Sequence, residues 1–262
     1  MTYRWCFCLV ALAAACGSGR AAANPTVSPS AGVRPNENAS PATIDSLWSN
    51  AEAAARQGKW GDAEKLIERV LLELSPGDPR IPQAHYWLGE AYFARGRHLE
   101  AAREFRKASD ETPNHPLAPE ALLRVGDVYA DLWRRPELDP TYGQTALATY
   151  QELLNRYPGS SAAKRAQARI AELNERFAYK LYRAAMFYYR LKAYDSAILY
   201  LKDLIASYPK ATVAPEALVK LVQAYKTLGY REDVQETCDY LRRFHPKAPG
   251  AREVCPTGST GA

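Results

Sequence analysis

Residues 82–115 read PQAHYWLGEAYFARGRHLEAAREFRKASDETPNH, and this 34-residue stretch decides the fold. Two helical patterns meet at Gly96. The first carries Leu88, Gly89 and Tyr92; the second carries Ala101, Phe105 and Ala108, and Pro113 follows it. Gly89 and Ala101 are small where two helices must approach closely. Tyr92 and Phe105 are large where a gap between neighbouring pairs needs filling. Pro82 suits a first helical turn, because the N–H it lacks would have no partner there. One such pair cannot bury its apolar faces alone, so at least three copies are expected.

The spacing L-G-x2-Y, then A-x3-F, then P resembles the tetratricopeptide repeat, with His85 where that repeat carries Trp. Further copies follow the same offsets. Residues 44–78 supply Leu47, Ala51, Ala54, Gly58, Ala63, Ile67 and Val70. Residues 119–160 supply Leu122, Gly126, Tyr129, Ala146, Tyr150 and Pro158, with eight extra residues between the helices. Residues 178–211 supply Leu181, Ala185, Tyr188, Ala197, Leu201 and Pro209; residues 215–248 supply Leu218, Tyr225, Gly229, Cys238, Leu241 and Pro246. A chain of 262 residues accommodates one elongated solenoid or two compact domains. Five copies between 44 and 248 predict the former: an all-α, right-handed solenoid of about five helix pairs.

The composition is that of a folded chain, 47% hydrophobic and 24% charged. The formal net charge is +5, but Lys and Arg alternate with Asp and Glu along the helices, so no nucleic-acid surface is expected. His85, His98, His115 and His245 are scattered over the repeats, and there is no HExxH, phosphate loop or G-x-S-x-G. The sequence therefore predicts no enzyme, no cofactor and no metal site.

The N-terminus reads as an address. One early charge, Arg4, precedes an apolar run from Trp5 to Ala15, the shape of a secretory signal and too short to span a bilayer. The run ends in Leu12-Ala13-Ala14-Ala15-Cys16-Gly17-Ser18, which resembles a bacterial lipobox whose Leu is displaced by one position. On that reading residues 1–15 are removed and Cys16 carries lipid. Each buried methylene contributes ~0.8 kcal/mol to anchoring, and stable attachment needs more than one chain. Gly17 after the cysteine resembles the outer-membrane sorting signal of enteric bacteria. Residues 16–43, rich in Ala, Pro, Ser and Asn, form the expected disordered tether.

In the middle of the chain Trp133 to Tyr142 interrupts the third repeat, and Pro136 and Pro140 forbid a continuous helix. This loop is expected to project from the solenoid. From Ser161 onward no breaker separates SAAKRAQARIAELN from the fourth repeat, which predicts one long connecting helix. Residues 44–160 then form N-terminal repeats, 161–248 the connecting helix and C-terminal repeats, and 249–262 a flexible tail. Cys238 and Cys255 either pair, as an oxidising compartment allows, or Cys238 is simply a small core residue.

First helices of successive tetratricopeptide repeats line a concave groove. Projected onto this chain, the lining is Trp48, Glu52 and Arg56, then Tyr86, Glu90 and Phe93, then Leu123 and Asp127. Aromatics beside a cation suit an extended peptide that ends in an aromatic residue and a carboxylate, with Arg56 the expected partner of the carboxylate. In the fourth repeat Tyr179, Tyr182, Met186 and Tyr189 fall on the equivalent face, as a covered surface or an interface.

The ordered set of Asp139-Pro140, Tyr157-Pro158-Gly159-Ser160, Arg169-Ile170-Ala171-Glu172-Leu173, Phe187-Tyr188-Tyr189, Ala193-Tyr194, Tyr208-Pro209 and Glu216-Ala217-Leu218, behind a lipobox and tether, resembles the BamD family of outer-membrane assembly lipoproteins. The resemblance implies a non-catalytic, lipid-anchored subunit of the β-barrel assembly machinery on the periplasmic side of the outer membrane. Its partners would be the periplasmic domains of the barrel insertase, met by the C-terminal repeats, and unfolded outer-membrane proteins, received by the N-terminal repeats. The alternative is a periplasmic scaffold of the Tol–Pal-associated type, coordinating envelope constriction or cell-wall synthesis. That family carries an N-terminal coiled coil where this chain has a lipobox and tether.

Overall fold

The computed structural model describes residues 41–255. Cys16, the signal and most of the tether lie outside the described residues, as do the last seven positions. The chain is a run of helices: α1 (Pro41–Arg56), α2 (Trp60–Glu73), α3 (Ile81–Ala94), α4 (His98–Asp110), α5 (Ala118–Leu132), α6 (Thr141–Arg156), α7 (Ser161–Arg190), α8 (Tyr194–Ser207), α9 (Ala214–Leu228), α10 (Arg231–Phe244) and α11 (Ala251–Val254). No strand occurs among the described residues. Each helix packs on the next, giving five antiparallel pairs in a solenoid of the tetratricopeptide type.

The punctuation is local chemistry. Pro82, Pro119 and Pro215 occupy the first positions of α3, α5 and α9, where a missing N–H costs nothing. The turns inside the first, second and fifth pairs need left-handed backbone, supplied by Gly58, Gly96 and Gly229 at φ 67°, 75° and 80°. In the fourth pair Lys192 takes the same turn at φ 59°, the one non-glycine positive φ among the described residues. Ser160 caps α7 by accepting the Ala163 N–H at 3.0 Å.

The core follows the repeat. Ala51, Ala63, Ile67, Ala101, Phe105, Ala146, Tyr150, Leu153, Ala197 and Leu201 are fully buried. Gly89 and Gly126 are small for a definable reason. A Cβ on Gly89 would lie 2.7 Å from the Phe105 ring, and one on Gly126 would lie 2.3 Å from the Tyr150 ring. The connecting helix is a single 30-residue element, α7. Its first half packs on α5 and α6, and its second half pairs with α8.

The structure departs from three expectations. Helix α1 begins at Pro41, inside the expected tether. The tail is ordered further than expected: α11 buries Ala251 and Val254, and Cys255 is joined to Cys238 as a disulfide. The insertion does not project freely. Trp133 is 2% exposed, stacked 4.5 Å from Phe177 of α7, and Lys180 Nζ donates to the carbonyls of Glu137 and Leu138 at 3.3 and 2.8 Å. An indole buries too much apolar surface to remain in solvent when a helix lies within reach.

Candidate functional site

The expected groove residues meet different fates. Trp48 stacks on Trp87 with ring centroids 5.0 Å apart and lies under the Arg80 guanidinium. It packs α1 against α3. Arg56 is 75% exposed and paired to Glu52 on its own helix at 2.6 Å. Leu123 is 3% exposed and belongs to the core with Leu122 and Tyr150, because its position on α5 faces inward; it offers nothing to a ligand. Tyr86 packs edge-on against Phe105, and burial followed by the charge of Glu90 pushes its hydroxyl pKa up. It therefore stays a neutral donor. In the fourth repeat Tyr182, Met186 and Tyr189 pack against the core shared with α9, and the Tyr182 hydroxyl donates to Glu216 at 2.6 Å.

Phe93 and Asp127 are the members of the expected set that line a cavity, one of about 490 Å³ between α3, α5, α6 and α7. Most of the rest of its wall is charged. Arg124 and Asp127 come from α5, Arg169 and Arg176 from α7, and Asp131 and Arg134 from the end of α5 and the insertion. Arg124 lies over the Phe93 ring at 4.7 Å and holds Glu90 of α3 through two hydrogen bonds of 2.7 and 2.8 Å. Such a bidentate pair fixes both planes and ties the second repeat to the third.

The carboxylates are already engaged. Asp127 accepts from the Tyr150 hydroxyl at 2.7 Å and from Arg169 at 3.2 Å. Burial, then the charge of Asp127, raises the Tyr150 pKa, so this hydroxyl remains a donor. Asp131 meets His98 Nε2 at 2.7 Å and Arg134 at 2.8 Å. Burial alone would raise its pKa, but these two partners hold it below the ordinary aspartate value. Arg169 also reaches Glu172 at 3.3 Å.

Arg176 is different. It is stacked 4.7 Å over Trp133 and donates only to the Ala130 carbonyl, at 3.3 Å. No carboxylate lies within ion-pair distance of it among the described residues. Burial lowers its pKa, the direction expected of a cation short of counter-charge. The four cavity guanidiniums and the carboxylates of Glu90, Asp127, Asp131 and Glu172 balance in sum. The cavity is therefore not a general cationic surface but a charge-balanced lattice, in which Arg169 takes two carboxylates and Arg176, beside an aromatic ring, makes no ion pair among the described residues. Sequence reasoning missed Arg124, Arg169, Arg176 and Trp133. The one available signal was Lys/Arg recurring at turn spacing along 164–176, which reads equally well as a solvated face.

No group of three or more metal-ligating side chains occurs among the described residues, and no described helix is long and apolar enough to cross a membrane. Repeats that pack on one another in this way define a helical scaffold of the tetratricopeptide type. The chain belongs to the YfiO family of outer membrane lipoproteins, whose pattern it matches over residues 41–241. It is 25% identical over 226 residues to the outer membrane protein assembly factor BamD of Xylella fastidiosa, covering 81% of this chain and 76% of that one. The Vibrio cholerae protein of the same name is 27% identical over 207 residues, with 73% and 83% covered. That of Neisseria gonorrhoeae is 25% identical over 219 residues, with 79% and 81% covered. Among solved structures, the P58(IPK) tetratricopeptide domain aligns over 81% of this chain and 54% of its own at 14% identity, with a TM-score of 0.43. The names of these relatives lend no support to the Tol–Pal-type alternative.

Proposed function

We propose that the chain is a non-catalytic subunit of the β-barrel assembly machinery that holds the C-terminal end of unfolded outer-membrane proteins. The observation that supports this reading is the cavity between α3, α5, α6 and α7, lined by the Phe93 ring and by Arg176, which makes no ion pair among the described residues; on our reading Phe93 takes the ligand's terminal aromatic side chain and Arg176 its carboxylate. Arg176 takes the part expected of Arg56, which Glu52 already occupies. Among the relatives' names, outer membrane protein assembly factor fits such a ligand. The C-terminal repeats meet the periplasmic domains of the barrel insertase. Phe187, Leu191 and Leu199, each at least half exposed around the turn between α7 and α8, supply an apolar surface for that contact. Lipid on Cys16 holds the chain at the periplasmic face of the outer membrane.

The test is peptide binding by fluorescence anisotropy, with a labelled decapeptide that ends in Phe and a free carboxylate, against its C-terminal amide. A hydrogen bond to a charged group contributes ~1.5–3 kcal/mol, about 10- to 150-fold in affinity. The amide, and the R176A variant with the free acid, should each weaken binding by that factor. Equal affinity for acid and amide would remove the carboxylate from the proposal.

A further inference from the structure

The last linker of the chain copies the one before it. Tyr208-Pro209-Lys210-Ala211 follows α8, and His245-Pro246-Lys247-Ala248 follows α10, 37 positions later. The backbone agrees: Tyr208 sits at φ −133°, ψ 56° and His245 at φ −135°, ψ 52°. Ala211 N–H donates to the Tyr208 carbonyl at 3.0 Å, and Ala248 N–H to that of His245 at 3.0 Å. Ala214 then donates to Ala211 at 3.0 Å, and Ala251 to Ala248 at 3.1 Å. The register runs on, with Ala214 matched by Ala251, Glu216 by Glu253, Ala217 by Val254 and Leu218 by Cys255. Helix α11 packs on both α9 and α10, as α9 packs on α7 and α8. It therefore starts where the first helix of a sixth repeat would start, and it stops after one turn.

A single turn has no means of holding itself. Nucleating a helix fixes several residues for one hydrogen bond, and the helical part of this segment buries only Ala251 and Val254. The disulfide takes over. Cys255 stands at the Leu218 position and Cys238 at the Leu201 position, 37 residues on from each, so the bond joins two positions that the preceding repeat fills with buried leucines. Both sulfur-bearing residues are 4% exposed, among Leu218, Val219, Val222 and Leu241.

We infer that residues 251–255 are a truncated sixth repeat that caps the solenoid, held shut by the Cys238–Cys255 disulfide and opened by dithiols. Solenoids need such terminal caps because the last repeat otherwise leaves its stacking face bare. Opening is a thiol–disulfide exchange. One thiolate of a dithiol attacks a cystine sulfur, and the second displaces the mixed disulfide. The chain gains two electrons and two protons as two thiols, and the reductant leaves as a cyclic disulfide. Burial means that α11 must lift before a thiolate can reach the bond, so reduction proceeds at the rate of local opening.

The test is hydrogen exchange by mass spectrometry on the full chain, with and without dithiothreitol. Oxidised protein should protect the Val254 and Cys255 amides, which donate to Gly250 and Ala251. Reduction should lower that protection ~100-fold, the scale set by closing a loop of this size. Exchange in α7 and α8 should stay unchanged, and the C238S/C255S variant should match reduced protein. A C238L/C255L variant separates bond from packing, because it restores the leucines of the preceding repeat. If its residues 251–255 exchange as slowly as those of the oxidised chain, packing alone holds the cap and the inference fails. It fails equally if free thiols at both positions are found by alkylation in protein taken from an oxidising compartment.

Discussion

Replacing Trp133 should unfasten the insertion from the connecting helix. The indole is 2% exposed, stacks on Phe177 at 4.5 Å and carries Arg176 at 4.7 Å. Helix α6 makes room for it with Gly143, where a Cβ would lie 2.2 Å from the ring. W133A removes a fully buried aromatic and leaves a cavity whose walls are two helices, so the expected loss is ~3–5 kcal/mol. In a chain of this size 1 kcal/mol shifts the midpoint by about 2–4 °C, which puts the fall in Tm at roughly 6–20 °C by circular dichroism. W133F keeps a ring against Phe177 and should lose less than half as much. The same pair reports on the site, because W133A removes the platform under Arg176 and should weaken the acid-terminated peptide more than W133F does. A W133A midpoint within about 2 °C of the parent would mean that the insertion is not packed as described.

Two further changes probe the packing and the charge network. G126A drives a methyl into the ring of Tyr150, which cannot retreat because it is fully buried and its hydroxyl is held by Asp127. Overpacking costs ~1–3 kcal/mol, against about 1 kcal/mol gained in helix propensity. A net loss in urea denaturation is expected, and a variant as stable as the parent would show that the ring moves. The hydrogen bond from Arg80 holds Asp78 below the ordinary carboxylate value of 3.8, against the opposing effect of burial. A depressed folded pKa contributes stability above 3.8 that is lost as the pH falls through the folded value. D78N should therefore flatten the fall in urea midpoint below about pH 4, and parallel curves for parent and variant would exclude this pair.

The repeat was legible because its physics is local. Gly89 against Phe105 and Gly126 against Tyr150 are each contacts within one helix pair, a glycine on the first helix facing a ring on the second. The long helix was legible for the same reason, since nothing in 161–190 breaks it. The insertion was misjudged because its fate depends on distance in sequence. Pro136 and Pro140 state only that no helix runs there. That Trp133 finds Phe177 depends on α7 crossing back over α5, which no local pattern announces.

The cavity shows the same limit more sharply. Its charged wall comes from α5, the insertion and α7, three segments that each read alone as ordinary solvated helix or loop. Stacking converts them into a lattice in which Glu90 takes Arg124, Asp127 takes Arg169 and Asp131 takes Arg134. What distinguishes Arg176 is not its type or its spacing but the lack of a remaining carboxylate, a property of the assembled set. The projection from sequence went to Arg56 because it stood at the right helical position. It left unused the signal of Glu52, one turn earlier on the same face, which pairs with Arg56 at i,i+4 spacing. Helical periodicity identifies which residues face a groove, whereas the charge free to bind is what the fold leaves after pairing all the others.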